Sequence, residues 1–128
     1  QTATLTGVVF SLISAYKMGA EAVVASMGGH AADVELQRWG CGVLRNTASW
    51  HKQIVVDAGG AAAVAAAMGG HATDVELQRN GCGALSNMAA GGDACKQAVV
   101  DAGGASAVVA AMDGHAADVE LQMDGCGA

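Results

Sequence analysis

Proline does not occur in this sequence. Without the strongest helix breaker, punctuation falls to glycine, of which there are 19. Aromatic residues make up only 3% although 52% of the chain is hydrophobic, so the apolar content is mainly Ala, Val, Leu and Met. Alanine-rich faces let helices approach closely but bury little area each. Stability then has to come from many small contacts between neighbouring elements. Basic residues are few, 6 Lys and Arg against 12 Asp and Glu, which leaves a net charge of −6. That balance argues against a nucleic-acid backbone as partner and favours a basic protein surface. The longest apolar run, Gly7 to Ala15, is interrupted by Ser11 and Ser14. It is too short to cross a bilayer, so no direct membrane insertion is expected.

The sequence does hold a repeated segment. Leu77-Gln78-Arg79-Asn80-Gly81-Cys82-Gly83-Ala84-Leu85-Ser86-Asn87-Met88-Ala89 has a first copy at Leu36–Ala48 and a half copy at Leu121–Ala128. His30, His71 and His115 mark the register at intervals of 41 and 44 residues. Such a period means a stacked array in which each unit buries its face on the next. The longer second interval arises between Ala89 and Lys96, a Gly-rich spot that reads as a surface loop.

Each unit reads as three helices. The first is short, Gln53–Ala58 and again Asp93–Ala102, and Gly59-Gly60 or Gly103-Gly104 ends it with a left-handed turn. The second is Ala20–Met27, Ala61–Met68 and Ala105–Met112. The third begins at Asp33, Asp74 and Asp118, good N-caps, with a Thr73/Glu76 capping box as the alternative in the middle copy. The expected units are 19–56, 57–100 and a truncated 101–128, after a degenerate end of a preceding unit at 1–18, where Val9, Ile13 and Met18 keep helical spacing. Two glycines flank the cysteine of each long helix, at a cost of roughly 1 kcal/mol apiece against Ala. Close backbone packing is expected to offset it.

These residues resemble the armadillo repeat. Leu77-Gln78, Gly81-Cys82, Ala84-Leu85, Asn87 and Met88-Ala89 fall where that family has Val-Gln, Ala-Ala, Ala-Leu, Asn and Leu-Ala. Val99-Val100-Asp101-Ala102-Gly103-Gly104 is similar to its Ile-Val-Glu-Ala-Gly-Ala link. The resemblance covers residues 19–128 and implies an all-α fold, a right-handed α-solenoid of three-helix repeats. It also implies a protein–protein interaction scaffold whose third helices line a concave groove for an extended or helical segment of a partner. The alternative is a structural subunit of a large multiprotein assembly, docked through its outer faces and ends. The family's helix-three asparagines, which bond to a bound peptide's backbone, correspond to Asn46 and Asn87. Where its peptide-binding members carry Trp, this sequence has Gly42 and Gly83, so a nuclear-signal receptor of the import kind is not expected.

Helical spacing adds a stripe. Trp39, Gly42, Asn46 and Trp50 share one face, with Asn80, Gly83, Asn87 and Gly91 as the next unit's equivalents and Asp124 opening the third. Trp39, Asn46, Trp50, Asn80 and Asn87 are the candidate groove residues, with Arg45 and Ser86 at the rim. Tryptophan is enriched in binding hot spots; the plainer reading of Trp50 is local packing. The His-to-Cys spacing recurs only because the unit recurs, and neighbouring units are too far apart for shared ligation, so no metal or other cofactor is expected. No non-repeated nucleophile–base pair suggests an enzyme. Glu35, Glu76, Glu120 and their paired aspartates read as solvated first-turn residues, and the Gly-Gly steps as turns. Cys41, Cys82 and Cys126 occupy one repeat position and, with Cys95, read as reduced core thiols of an intracellular, cytoplasmic protein. The chain begins at Gln1 without Met and ends inside a helix pattern, so a targeting segment is left open.

Overall fold

The computed structural model describes the backbone of residues 2–127 and the side chains of residues 15–127. Eight helices and no strand occur among the described residues: α1 Thr2–Gly29, α2 Val34–Trp50, α3 Lys52–Asp57, α4 Gly60–Gly70, α5 Val75–Ala89, α6 Asp93–Asp101, α7 Gly104–Gly114 and α8 Val119–Gly127. The chain is all-α. No described helix is long and apolar enough to cross a membrane.

The three long-helix segments α2, α5 and α8 begin as their sequence suggests. Asp33, Asp74 and Asp118 each accept the backbone N–H three residues on, at 3.1, 2.9 and 2.9 Å. This satisfies one of the donors that a helix start leaves free. Asp74, not Thr73, is therefore the cap of α5. Gly59 and Gly103 sit at φ 86° and 84°, the left-handed backbone that turns α3 into α4 and α6 into α7. Gly69-Gly70, by contrast, are the last residues of α4, and the turn comes after them at His71–Thr73. No break separates the expected end of a preceding unit at 1–18 from the first unit, because α1 runs uninterrupted from Thr2 to Gly29. Its Met18 is exposed, and the Val9 and Ile13 side chains lie outside the described residues.

Equivalent helices pack on one another, α2 on α5 on α8, α3 on α6 and α4 on α7. One core runs through them. It holds Leu44, Leu77, Leu85 and Leu121 together with Val55, Val64, Met68 and Met88, all buried. The first glycine of each Gly-Cys-Gly lies under a methionine from the helix before it. A Cβ at Gly40, Gly81 or Gly125 would stand 2.5, 2.5 or 2.6 Å from the sulfur of Met27, Met68 or Met112. The close approach expected at these glycines is thus made by a side chain, and Met is well suited to fill such a gap. Beneath it, Gln37 and Gln78 are buried. Each donates Nε2 to the carbonyls of Met27 and His30, or of Met68 and His71, at 2.8–3.0 Å. They tie each long helix to the end of the helix before it, adding a second hydrogen bond at the Met27, His30 and His71 carbonyls, which also accept a backbone N–H.

The glycines separate two kinds of substitution. Gly104→Ala would put a methyl 2.7 Å from the Val99 carbonyl oxygen and 2.6 Å from its Cγ1. A loss of roughly 1–3 kcal/mol is expected, as for other overpacked sites. Gly69→Ala meets nothing within 4 Å. It should be neutral or stabilising by up to about 1 kcal/mol. Urea melts of the two variants check both signs.

Candidate functional site

Helix α2 reaches Trp50, so Trp39, Gly42, Asn46 and Trp50 do share a face. Trp39 is 54% and Trp50 85% exposed, so Trp50 is not tucked against the terminal helices. Asn46 is exposed as well. Between α2 and α5 lies an open cleft of about 490 Å3, lined by Glu35, Arg38, Trp39, Gly42, Val43, Asn46, Glu76 and Asn80. The two glutamates are exposed carboxylates, and the one cation of the lining, Arg38, is already held by Asp74. The cleft therefore combines an aromatic wall with free negative charge, an arrangement suited to a basic or amphipathic side chain.

The remaining asparagines are engaged within the fold. Asn87 donates Nδ2 to the Arg45 carbonyl at 2.9 Å, and Asn80 points at the Arg38 carbonyl at 3.5 Å, each reaching back one unit. Asn46 stands free of such a bond among the described residues. Arg45 is not a rim side chain. Its guanidinium crosses Gly83, donates to the Arg79 carbonyl at 3.3 Å and pairs with Asp124 at 3.0 Å. A Cβ at Gly83 would collide with that guanidinium. The place where the resembled family has Trp is occupied, in the second unit, by Arg45.

Two further sets of bonds repeat along the same side. Arg38 holds Asp74 (2.8 Å) and Arg79 holds Asp118 (2.5 Å), each arginine reaching from one long helix to the cap of the next. The aspartates expected to be solvated are thus paired, with side chains 18% and 16% exposed. The hydrogen bond from Arg38 holds the Asp74 carboxyl below the usual carboxylate range, and Arg79 does the same for Asp118. Glu35, Glu76 and Glu120 are exposed, as read from the sequence. His71 and His115 direct Nε2 at the Ala31 and Ala72 carbonyls, at 2.8 and 2.9 Å. A carbonyl can only accept, so Nε2 of both rings carries the proton. Among the described residues no group of three or more His, Cys, Asp or Glu is placed to hold a metal.

All four cysteines are free. Cys41, Cys82 and Cys95 are buried, whereas Cys126 is exposed because no helix covers that side of α8 among the described residues. Burial pushes the Cys41 thiol up to about 12 and the Cys82 thiol to about 11. The residues that sequence reading passes over are Arg38, Arg79, Gln37 and Gln78. Their signal is present in the register: Arg and Gln recur at fixed distances from the capping Asp. Which unit each side chain turns toward is not written in that spacing. Compared with protein-family models, curated protein sequences and solved structures, the chain matches none.

The site generates two measurements. Asp74 and Asp118 have lowered pKa values in the fold, so their contribution is complete above the unfolded carboxylate pKa and is lost as pH falls through the folded value. The melting temperature should hold near neutrality and drop below about pH 4. That acid loss should shrink in an Arg38→Met/Arg79→Met variant, where the carboxylates keep only the backbone N–H that each caps. Alkylation at neutral pH should modify Cys126 and leave Cys41 and Cys82 untouched until the chain unfolds, as peptide mass spectrometry would show.

Proposed function

We propose that the chain is an armadillo-type, right-handed α-solenoid acting as a protein-binding scaffold. Its concave face is the one carried by α2, α5 and α8, and the partner contributes an extended or helical segment. The observation that carries the reading is the open cleft beside Trp39: an exposed indole, the free amide of Asn46 and two exposed glutamates around about 490 Å3 of space. Exposed tryptophan beside unspent hydrogen-bonding groups is the composition of a binding hot spot. The anionic lining favours a segment with a basic side chain, in keeping with the net charge of −6. Because Asn80 and Asn87 serve the contact between units, the partner is gripped around α2 and not along every asparagine of the ladder.

A second reading is favoured by a separate observation. Val100, Val109, Val119 and Met123 are all more than half exposed, and an apolar cleft of about 400 Å3 opens among α6, α7 and α8. A face of that kind suits a structural subunit docked edge-on in a larger assembly.

Capture from the native extract separates the two, using the wild type, Trp39→Ala/Asn46→Ala and Val109→Asp. Groove binding predicts that the double variant weakens the interaction by about 2 kcal/mol or more while its melt is unchanged. Loss on Val109→Asp alone would contradict the groove and support edge docking.

A further inference from the structure

The repeat is obeyed at most positions of the long helices, so departures from it carry information. Two departures face each other. Arg45 has Ser86 as its equivalent in the next unit, and Asp124 has Trp39 and Asn80 as its equivalents in the units before. They meet across two helix spacings: Arg45 Nη2 lies 3.0 Å from Asp124 Oδ1, with Nη1 at 3.3 Å from the Arg79 carbonyl on the way. Both side chains are largely covered, 29% and 18% exposed. Asp124 Oδ2 is buried without a hydrogen-bond partner among the described residues. The carboxylate is therefore held through one oxygen only.

The path of Arg45 depends on Gly83. At the same register, a Cβ on Gly42 would meet only Asn80, its Nδ2 at 3.5 Å, an ordinary contact. On Gly83 it would occupy the space of the guanidinium itself. Glycine in the middle of α5 is a poor helix former, so its presence there is explained by what lies over it.

We propose that Arg45, Gly83 and Asp124 form a latch across the α2–α5–α8 face, which fixes α8 against α5 and closes that face beyond the Trp39 cleft. The latch sets where the open surface stops. The face is accessible between α2 and α5 and filled over Gly83, and opening the latch frees α8. This holds whether or not the Trp39 cleft binds a partner, because it concerns contacts within the chain.

Cys82 reports on the latch. It neighbours Gly83, is fully buried, and lies within electrostatic reach of both Arg45 and Asp124. Cys41, its equivalent one unit earlier, is equally buried and senses neither. In a Cys126→Ser background, maleimide labelling of Cys41 and Cys82 is followed at neutral pH by peptide mass spectrometry. Arg45→Ala should raise the Cys82 rate on the order of tenfold and leave Cys41 unchanged, as local opening requires. Arg45→Lys should restore part of the protection. Gly83→Ala is the sharper variant. Helix propensity alone would make α5 firmer and Cys82 no more reactive, whereas the latch predicts that the added methyl expels the guanidinium and exposes Cys82 as Arg45→Ala does. Should the Arg45→Ala chain not fold, Asp124→Asn is read by amide hydrogen exchange, because loss of that charge acts on the Cys82 thiol directly, and faster exchange in α8 is the expected result. The proposal is overturned if Cys82 stays at the wild-type rate in the Arg45→Ala and Gly83→Ala variants, if Cys41 and Cys82 accelerate together, or if exchange in α8 is unchanged by Asp124→Asn.

Discussion

Each aspartate that starts a long helix in the second and third units serves two purposes with one carboxylate. It caps its own helix, and it receives the arginine of the preceding long helix. The start of a helix and the docking of one unit on the next are therefore the same event at Asp74 and at Asp118. Exposed ion pairs usually contribute little. These differ because both partners are partly covered and the carboxylate is already oriented by the backbone N–H it accepts. With alanine-rich helices that bury little area each, such shared groups define the register in which the helices stack.

The other repeating contacts depend on that register. Methionine lies over glycine, glutamine satisfies the carbonyls at the end of the preceding helix, and histidine reaches a carbonyl of the unit before. None of them tolerates a slip of one residue. The face left over, with Trp39, Asn46 and Trp50, takes no part in these contacts, and this is why it is the candidate for binding in the proposed solenoid. Asn80 and Asn87, on the same helical stripe, are drawn into the contact between units.

The sequence makes legible what each unit does by itself. Capping at Asp33, Asp74 and Asp118, the left-handed turns at Gly59 and Gly103, and the alignment of Trp39 with Asn46 all arise from local spacing. Relations between units cannot be read in the same way. Arg45 resembles a rim residue because its sequence neighbours are groove candidates, yet its partner is Asp124, far along the chain. Asn87 is a groove candidate by its spacing, yet its amide donates to the Arg45 carbonyl one unit earlier. The glycines inside α2 and α5 suggest a close approach of backbones, but what fills the space is side chains, a methionine and an arginine.

The shared aspartate is tested most directly by a double-mutant cycle between Arg79 and Asp118, read as thermal melts of the wild type, Arg79→Ala, Asp118→Ala and the double variant at neutral pH and low salt. The cycle cancels the cap that Asp118 supplies to its own helix and leaves only the coupling between the two units. A double variant that melts above the temperature expected from adding the two single losses is the predicted result, with the excess shrinking as salt is raised. Strictly additive losses would mean that the arginine and the aspartate act independently, and that the register of the units is set by the other contacts between them.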